Sequence, residues 1–386
     1  MDLKDIIFTK ALFGGSSGGG GGTPSGGDEW KPIGDGHTHI WVTIGEYYPA
    51  FKIGMTVTGG NVTVDWGDGS EPDIVTGNTP AHEYAQAGNY IITLRSDATV
   101  SIANSFIDYD KAGSNSIIKN AVKYIEIGHD ISKIQAAPFC YLRNLECVTL
   151  TENWNGSFSL YGGLYRECYS LKQLIFPTGT NWTFPEYSLY QCYSLSSVHF
   201  PEGAKKLGNN VFASSNVTEV VIPNTVTEIS SNVFYECKML KKVRLGDSIQ
   251  IIPYNAFYRC SLLQNITLPD SVTTLGENAF YEAGLTTLTM PGSVTTISKG
   301  CFTQCAQLLF VSISPNVTAI PEQTFYGCRA AKIYDFSRYT MVPALAATNA
   351  FYAIPADCKI HVPAALVDEW KAATNWSTYA DKIVGV

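Results

Sequence analysis

Ten cysteines and six histidines are among the side chains in this 386-residue sequence that could act as nucleophiles, proton carriers or metal ligands. Six of the cysteines, Cys168, Cys192, Cys237, Cys260, Cys305 and Cys328, share one slot, three residues after a recurring aromatic residue or leucine. A zinc site would use closely paired ligands such as C-x-x-C, and a nucleophilic thiol would need histidines at a matching spacing. Neither pattern accompanies the slot. If it recurs on stacked coils, equivalent residues lie roughly 4.8 Å apart, the strand spacing, which is within disulfide reach. Cys168/Cys192, Cys237/Cys260 and Cys305/Cys328 would then be neighbours. Ser215 and Ala283 occupy the same slot, which favours free thiols packed as small hydrophobes.

Other catalytic or metal chemistry finds less support. His37 and His39 fall on one face of a predicted strand and would join His82 as metal ligands, but no fourth ligand or constrained spacing accompanies them. Asp65 and Asp68 supply two carboxylates where calcium takes about six to eight oxygens. The sequence contains no G-x-S-x-G elbow, H-E-x-x-H pair or phosphate-binding P-loop. Glycoside hydrolysis needs two carboxylates about 5–10 Å apart, and the faces considered below offer only Glu219 and Asp335, several coils apart. The expectation is a chain without enzymatic activity, cofactor or metal.

The elements behind these residues follow a repeat. Large apolar anchors fall at Phe139, Tyr165, Leu189, Phe212, Phe234, Phe257, Phe280, Phe302, Phe325 and Phe351, spaced by 22 to 26 residues. Self-similarity at such a period marks a solenoid. Each unit predicts a short strand such as 264–268, a Pro/Gly/Asp turn, a second apolar pair such as Val272 and Leu275, and a short helical or 3₁₀ segment carrying the phenylalanine. No unit can bury its apolar edge alone, so stacked neighbours share a core and the end coils need caps. Pro363 begins a helix whose Leu366, Val367 and Trp370 would cover the last coil, with Trp376, Tyr379 and Ile383 extending that lid. The net charge of -8 offers no basic stripe for nucleic acid, and no apolar run is long enough for a membrane helix.

Upstream the period changes. Residues 1–13 predict a short amphipathic helix (Leu3, Ile6, Ile7, Lys10), and 14–27 a glycine-rich flexible linker. From Trp30 to Ser101 the period is two, which predicts a small antiparallel sandwich. Val64 to Ser70 (VDWGDGS) and His82 to Leu94 (HEYAQAGNYIITL) resemble the polycystin-type (PKD-like) immunoglobulin-fold domain, with Trp66 displaced from that family's pattern. The repeats of residues 120–362 resemble BspA-like (treponemal-type) leucine-rich repeats of bacterial surface proteins. The expected fold is therefore mainly β with short helical segments, an N-terminal β-sandwich followed by a right-handed leucine-rich-repeat solenoid of about ten coils. The divisions expected are 1–31 (helix and linker), 32–104 (sandwich), 105–362 (repeats) and 363–386 (helical cap).

Two surfaces are candidates for binding. Residues ten after each anchor, from Thr149 through Ser312 to His361, should point outward from the sheet, as should those two positions earlier. This face includes His199, Lys242, Arg244, Asn265, Thr267, Phe310 and Asp335. A column one after the anchor includes Tyr235, Tyr258, Tyr281 and Tyr326, since half-exposed tyrosines serve in contacts but also pack the flank between coils. The resemblance implies recognition or adhesion at the cell surface or outside the cell, with a host or extracellular protein or a glycan as partner. The alternative is a phage or prophage component tethered by the N-terminal helix.

Overall fold

Alternation of apolar and polar residues gives a strand one buried and one open face, and 38–107 follow it in seven strands. These are β1 (Thr38–Ile44), β2 (Phe51–Thr58), β3 (Val62–Asp65), β4 (Asp73–Val75), β5 (Ala81–His82), β6 (Gly88–Ser96) and β7 (Thr99–Ile107). In this computed structural model the described residues are 32–107 and 120–386, apart from 47–49, 78–79, 136, 153, 155–156, 159–161, 177–181 and 202. The expected N-terminal helix and glycine-rich linker, and most of the 104–122 connector, lie outside them.

One sheet runs β1–β6–β3–β4 and the other β7–β2–β5, with all of these neighbours antiparallel. Val62 and Val64 are fully buried while Thr63 and Asp65 between them are half-buried. Trp66, just after β3, lies in the core, and its indole donates to Asp73 Oδ2 at 2.9 Å. The turn that follows needs glycine at Gly67, where φ is +78° and a Cβ would lie 2.4 Å from the Ile91 carbonyl oxygen.

Both sheets run on into the repeats. β8 (Val122–Ile127) pairs antiparallel with β1, and β10 (Cys147–Leu150) pairs parallel with β8. In the second sheet β9 (Lys133–Ile134) pairs parallel with β7. Sheet edges carry unpaired N–H and C=O groups, and here the edge of the sandwich is paired by the first coil. One cluster of buried side chains accordingly extends from Ile40 to Ile383.

Along the repeats the anchor rings stack in a file. Phe234, Phe257, Phe280, Phe302 and Phe325 have successive centroids 5.3 Å apart, with interplanar angles of 3° to 11°. Phe106 of β7 starts the file, edge-on to Phe139 at 5.9 Å. These rings are carried on turns and not on the expected helical or 3₁₀ segment. From Phe139 to Phe325 the residues two before and two after the anchor are left-handed, as at Asn255 (φ 53°) and Arg259 (φ 56°) around Phe257, and a left-handed residue cannot continue a right-handed helix. The N–H groups bond across coils instead, Phe257 to Ala279 at 2.7 Å and Arg259 to Tyr281 at 2.8 Å. Asparagine tolerates this conformation, and Asn210, Asn232, Asn255 and Asn278 all hold the earlier position.

At the far end α1 (Val367–Ala372) buries Trp370 against Phe336, with ring centroids 5.0 Å apart. Trp376 packs on Phe351 at 5.6 Å, the Tyr379 hydroxyl donates to the Thr348 carbonyl, and the strand Ile383–Gly385 pairs with Lys359–Val362.

Deleting a ring from the file leaves a cavity that its two stacked neighbours cannot fill. Phe257→Ala should cost about 3–5 kcal/mol in denaturant unfolding. Phe257→Leu should cost less, because Leu189 already occupies an equivalent slot.

Candidate recognition surface

In the middle coils each three-residue strand buries its central side chain and exposes its two flanks. Ser197–His199, Glu219–Val221, Lys242–Arg244 and Thr287–Thr289 all follow this pattern. Parallel register then builds rows across the sheet. His199 lies beside Val221, Val221 beside Arg244, and Arg244 beside Thr267. In the adjoining row Ser197, Glu219 and Lys242 are neighbours, and the Asn265 side-chain Oδ1 accepts from the hydroxyls of Thr286 and Thr287, each at 3.3 Å.

Five of the seven predicted sheet-face residues, His199, Lys242, Arg244, Asn265 and Thr267, therefore share one exposed face over four neighbouring coils. Among the described residues no ion pair involves Lys241, Lys242 or Arg244, although Glu219 is in register with Lys242. Phe310 and Asp335 sit further along and are half-buried. Asp335 is already engaged, accepting from the Ser312 hydroxyl at 3.3 Å and the Ser337 N–H at 3.0 Å.

Two positions expected to point outward are buried. Ser312 lies under the Arg338 guanidinium, which donates to its hydroxyl at 3.4 Å and to the Ile313 carbonyl at 3.2 Å. Thr149 lies in β10, all of whose residues are buried, beside Glu126 of β8. The Ile33 and Gly34 N–H groups reach Glu126 at 2.8 and 2.9 Å, so the chain entering the sandwich runs over this end of the sheet.

The tyrosine column divides in two. Tyr235, Tyr258 and Tyr281 stack at 4.9 and 4.6 Å, whereas Tyr326 stacks on Tyr352 at 5.1 Å. Thr303 holds the slot between the two groups and is buried. Beside the first stack, Arg259 bridges Glu236 at 3.2 Å and Glu282 at 2.9 Å, with its guanidinium 5.3 Å from the Tyr258 ring centre. Its hydrogen bonds to the Glu282 and Glu236 carboxylates push the Arg259 pKa further up. Reading the chain for tyrosines missed this charge ladder, although the Glu-Arg-Glu series at one slot of three successive repeats was its signal.

All ten cysteines are free thiols. Each cysteine of the repeated slot donates to the carbonyl of the anchor one coil earlier. Cys168 reaches Phe139 at 3.0 Å, Cys237 reaches Phe212 at 3.0 Å and Cys260 reaches Phe234 at 3.1 Å. Burial pushes the Cys237 thiol up to about 12, which withholds the reactive thiolate.

The histidines of the sandwich do not converge. His39 is buried, bonded to Asp35 Oδ1 at 2.8 Å and Thr93 Oγ1 at 3.1 Å. His82 ends β5, 2.7 Å from Asp68 Oδ2 and stacked on Trp66. Burial pushes the Asp68 carboxyl up, but the Ser70 hydroxyl, His82 and the Ser70 N–H together hold it down at about 2. His37 turns away, toward Asp130.

These features define the class as a β-solenoid repeat protein. The BspA-type leucine-rich repeat region model matches residues 111–241 and 227–352 in six copies, more than half of the chain, and the chain belongs to that family. Comparison with curated proteins found no match. Among solved structures, a leucine-rich repeat protein from Bacteroides ovatus is 17% identical, covers 76% of this chain and 96% of its own, and has a TM-score of 0.44. The leucine-rich repeat protein of T. pallidum is 20% identical over 61% of this chain and 84% of its own, with a TM-score of 0.35. The pneumococcal vaccine antigen PcpA is 18% identical over 69% of this chain and 78% of its own, with a TM-score of 0.41.

Two outcomes follow from this geometry. Alkylation of the native protein near neutral pH should modify at most Cys140, the one half-buried thiol, while the other nine become reactive only on unfolding, as counted by mass spectrometry. Because the folded Asp68 pKa is depressed below its ordinary 3.8, its stabilising contribution is complete above that value and is lost as pH falls toward 2. Asp68→Asn should therefore flatten the fall in melting temperature between pH 4 and 2.

Proposed function

We propose that this chain is a non-enzymatic recognition protein that binds an acidic protein or glycan on the open sheet face around Arg244. The observation that carries the reading is the group of Lys241, Lys242 and Arg244, exposed on an uncovered sheet and free of ion pairs among the described residues. Unpaired cations on a chain of net charge -8 are placed to meet negative charge on a partner and to steer its approach. His199, Asn265 and Thr267 add donors and acceptors on the same face. Residues 32–107 act in this reading as a PKD-like spacer that holds the first coil, supported by the Val62–Asp65 strand and its Gly67–Gly69 turn.

Membership of a family of leucine-rich repeats supports binding as the activity, and the surface or extracellular location of the partner is part of the proposal. No helix among the described residues is long and apolar enough to cross a membrane. The alternative of a particle-tethered component rests on residues 1–31, which lie outside the described residues.

A panel of extracellular-matrix proteins and acidic and neutral glycans tests the proposal. A ligand found this way should bind about tenfold more weakly to Arg244→Ala, a loss of about 1.4 kcal/mol, and its affinity should fall as salt rises. Tyr258→Ala should leave binding unchanged. Loss in Tyr258→Ala with retention in Arg244→Ala would move the site to the tyrosine stack, and a uniformly negative panel would contradict the proposal.

A further inference from the structure

Where the sandwich meets the first coil, three side chains converge that the recognition surface does not use. His37 stands just before β1, and His129 and Asp130 lie in the turn after β8. One ligand atom from each lies within 4.8 Å of the others. His37 Nδ1 is 3.2 Å from both Asp130 oxygens, and His129 Nε2 is 3.8 Å from Asp130 Oδ1. The two imidazole centroids are 4.9 Å apart.

The carboxylate is built in. The Asp130 side chain is fully buried while His37 is 28% and His129 44% exposed, so the cluster has a closed floor and an open mouth. Thr38 N–H donates to Asp130 Oδ2 and Ser96 N–H to Oδ1, both at 2.8 Å, which fixes the carboxylate plane. Its only ion-pair partners among the described residues are the two histidines. The histidine-bearing segments are pinned as well. His129 N–H donates to the Gly36 carbonyl at 2.9 Å, and Gly128 N–H donates to Thr38 Oγ1 at 3.0 Å. A Cβ on Gly128 would lie 2.1 Å from the Gly36 oxygen, so the two segments are in close contact.

Buried carboxylates are paired or coordinate metals. Zinc bound tetrahedrally at about 2.0–2.1 Å places its ligand atoms about 3.3 Å apart. The 3.2 Å separation already meets this, while the 3.8 Å one and the His37–His129 separation, which is within 4.8 Å, must close by rotation of the two partly exposed rings. Hydrogen bonds that orient a ligating carboxylate are the outer support such sites use, and Thr38 and Ser96 supply them. We propose that His37, His129 and Asp130 form a site for a divalent transition metal of the Zn²⁺ type, with a fourth position open to water. The ion would fasten the start of β1 to the end of β8, joining the sandwich to the first coil.

The test uses chelator-treated full-length protein titrated with ZnCl₂ by calorimetry, with melting temperature followed in parallel. One equivalent should bind and raise the melting temperature. His37→Ala and His129→Ala should each weaken binding at least about tenfold and remove the thermal shift. His129 is well exposed, so its variant should fold, and unchanged circular dichroism checks this. Substitution with Co²⁺ should give a visible spectrum without thiolate charge-transfer bands, separating this site from the cysteines. No binding at roughly 100 µM ZnCl₂, binding unaffected by His129→Ala, or a thiolate signature would each overturn the proposal.

Discussion

The whole chain depends on the fact that a single coil cannot bury its own edge. A unit of some 23 residues supplies one ring, one or two aliphatic side chains and a few backbone groups, all of which need the next unit. Stacking satisfies them together: the rings close at 5.3 Å, the thiols reach the preceding carbonyl, and the N–H groups around each anchor bond across coils. The two left-handed residues per turn make this possible, at a cost of about 1–2 kcal/mol for each non-glycine residue. That strain persists because neighbouring coils over-determine it.

The same requirement governs the ends. An open first coil would expose two sheet edges and one side of the Phe139 ring, and β1, β7 and Phe106 meet these three needs. At the other end Trp370, Trp376 and Tyr379 cover Phe336 and Phe351 with aromatic surface. Stacking leaves over the flanking positions of each short strand, where the proposed recognition face lies. There, substitution changes no core contact, so coils can differ freely in charge and shape.

Much of this was legible in the sequence because stacking imposes a period. The anchors, the aliphatic positions and the small slot repeat, and Ser215 and Ala283 already indicated that size matters there more than sulfur chemistry. The asparagines two before the anchor carried a signal for left-handed turns that the expectation of a helical or 3₁₀ segment did not use. Features made by pairing across large sequence separation left no such period. The β1–β8 pairing, the cover over Glu126 and the meeting of His37 with His129 and Asp130 join residues about 90 apart. His37 looked like a partner of His39 because they are close in sequence, yet β-strand entry turns it toward a different element. Of the predicted sheet face, the exposed middle coils were readable from alternation alone, whereas Arg338 covering Ser312 was not.

The central claim is that sandwich and solenoid share one hydrogen-bonded core, so that the proposed recognition face is continuous with residues 32–107. Native-state hydrogen exchange resolved by residue tests it most directly. The account predicts that amides of Val122–Ile127 and Thr38–Ile44 are protected as strongly as those around Phe257, and that all respond together to mild denaturant. Fast exchange at Val122–Ile127 while both flanking regions stay protected would contradict it, because the two parts would then open independently.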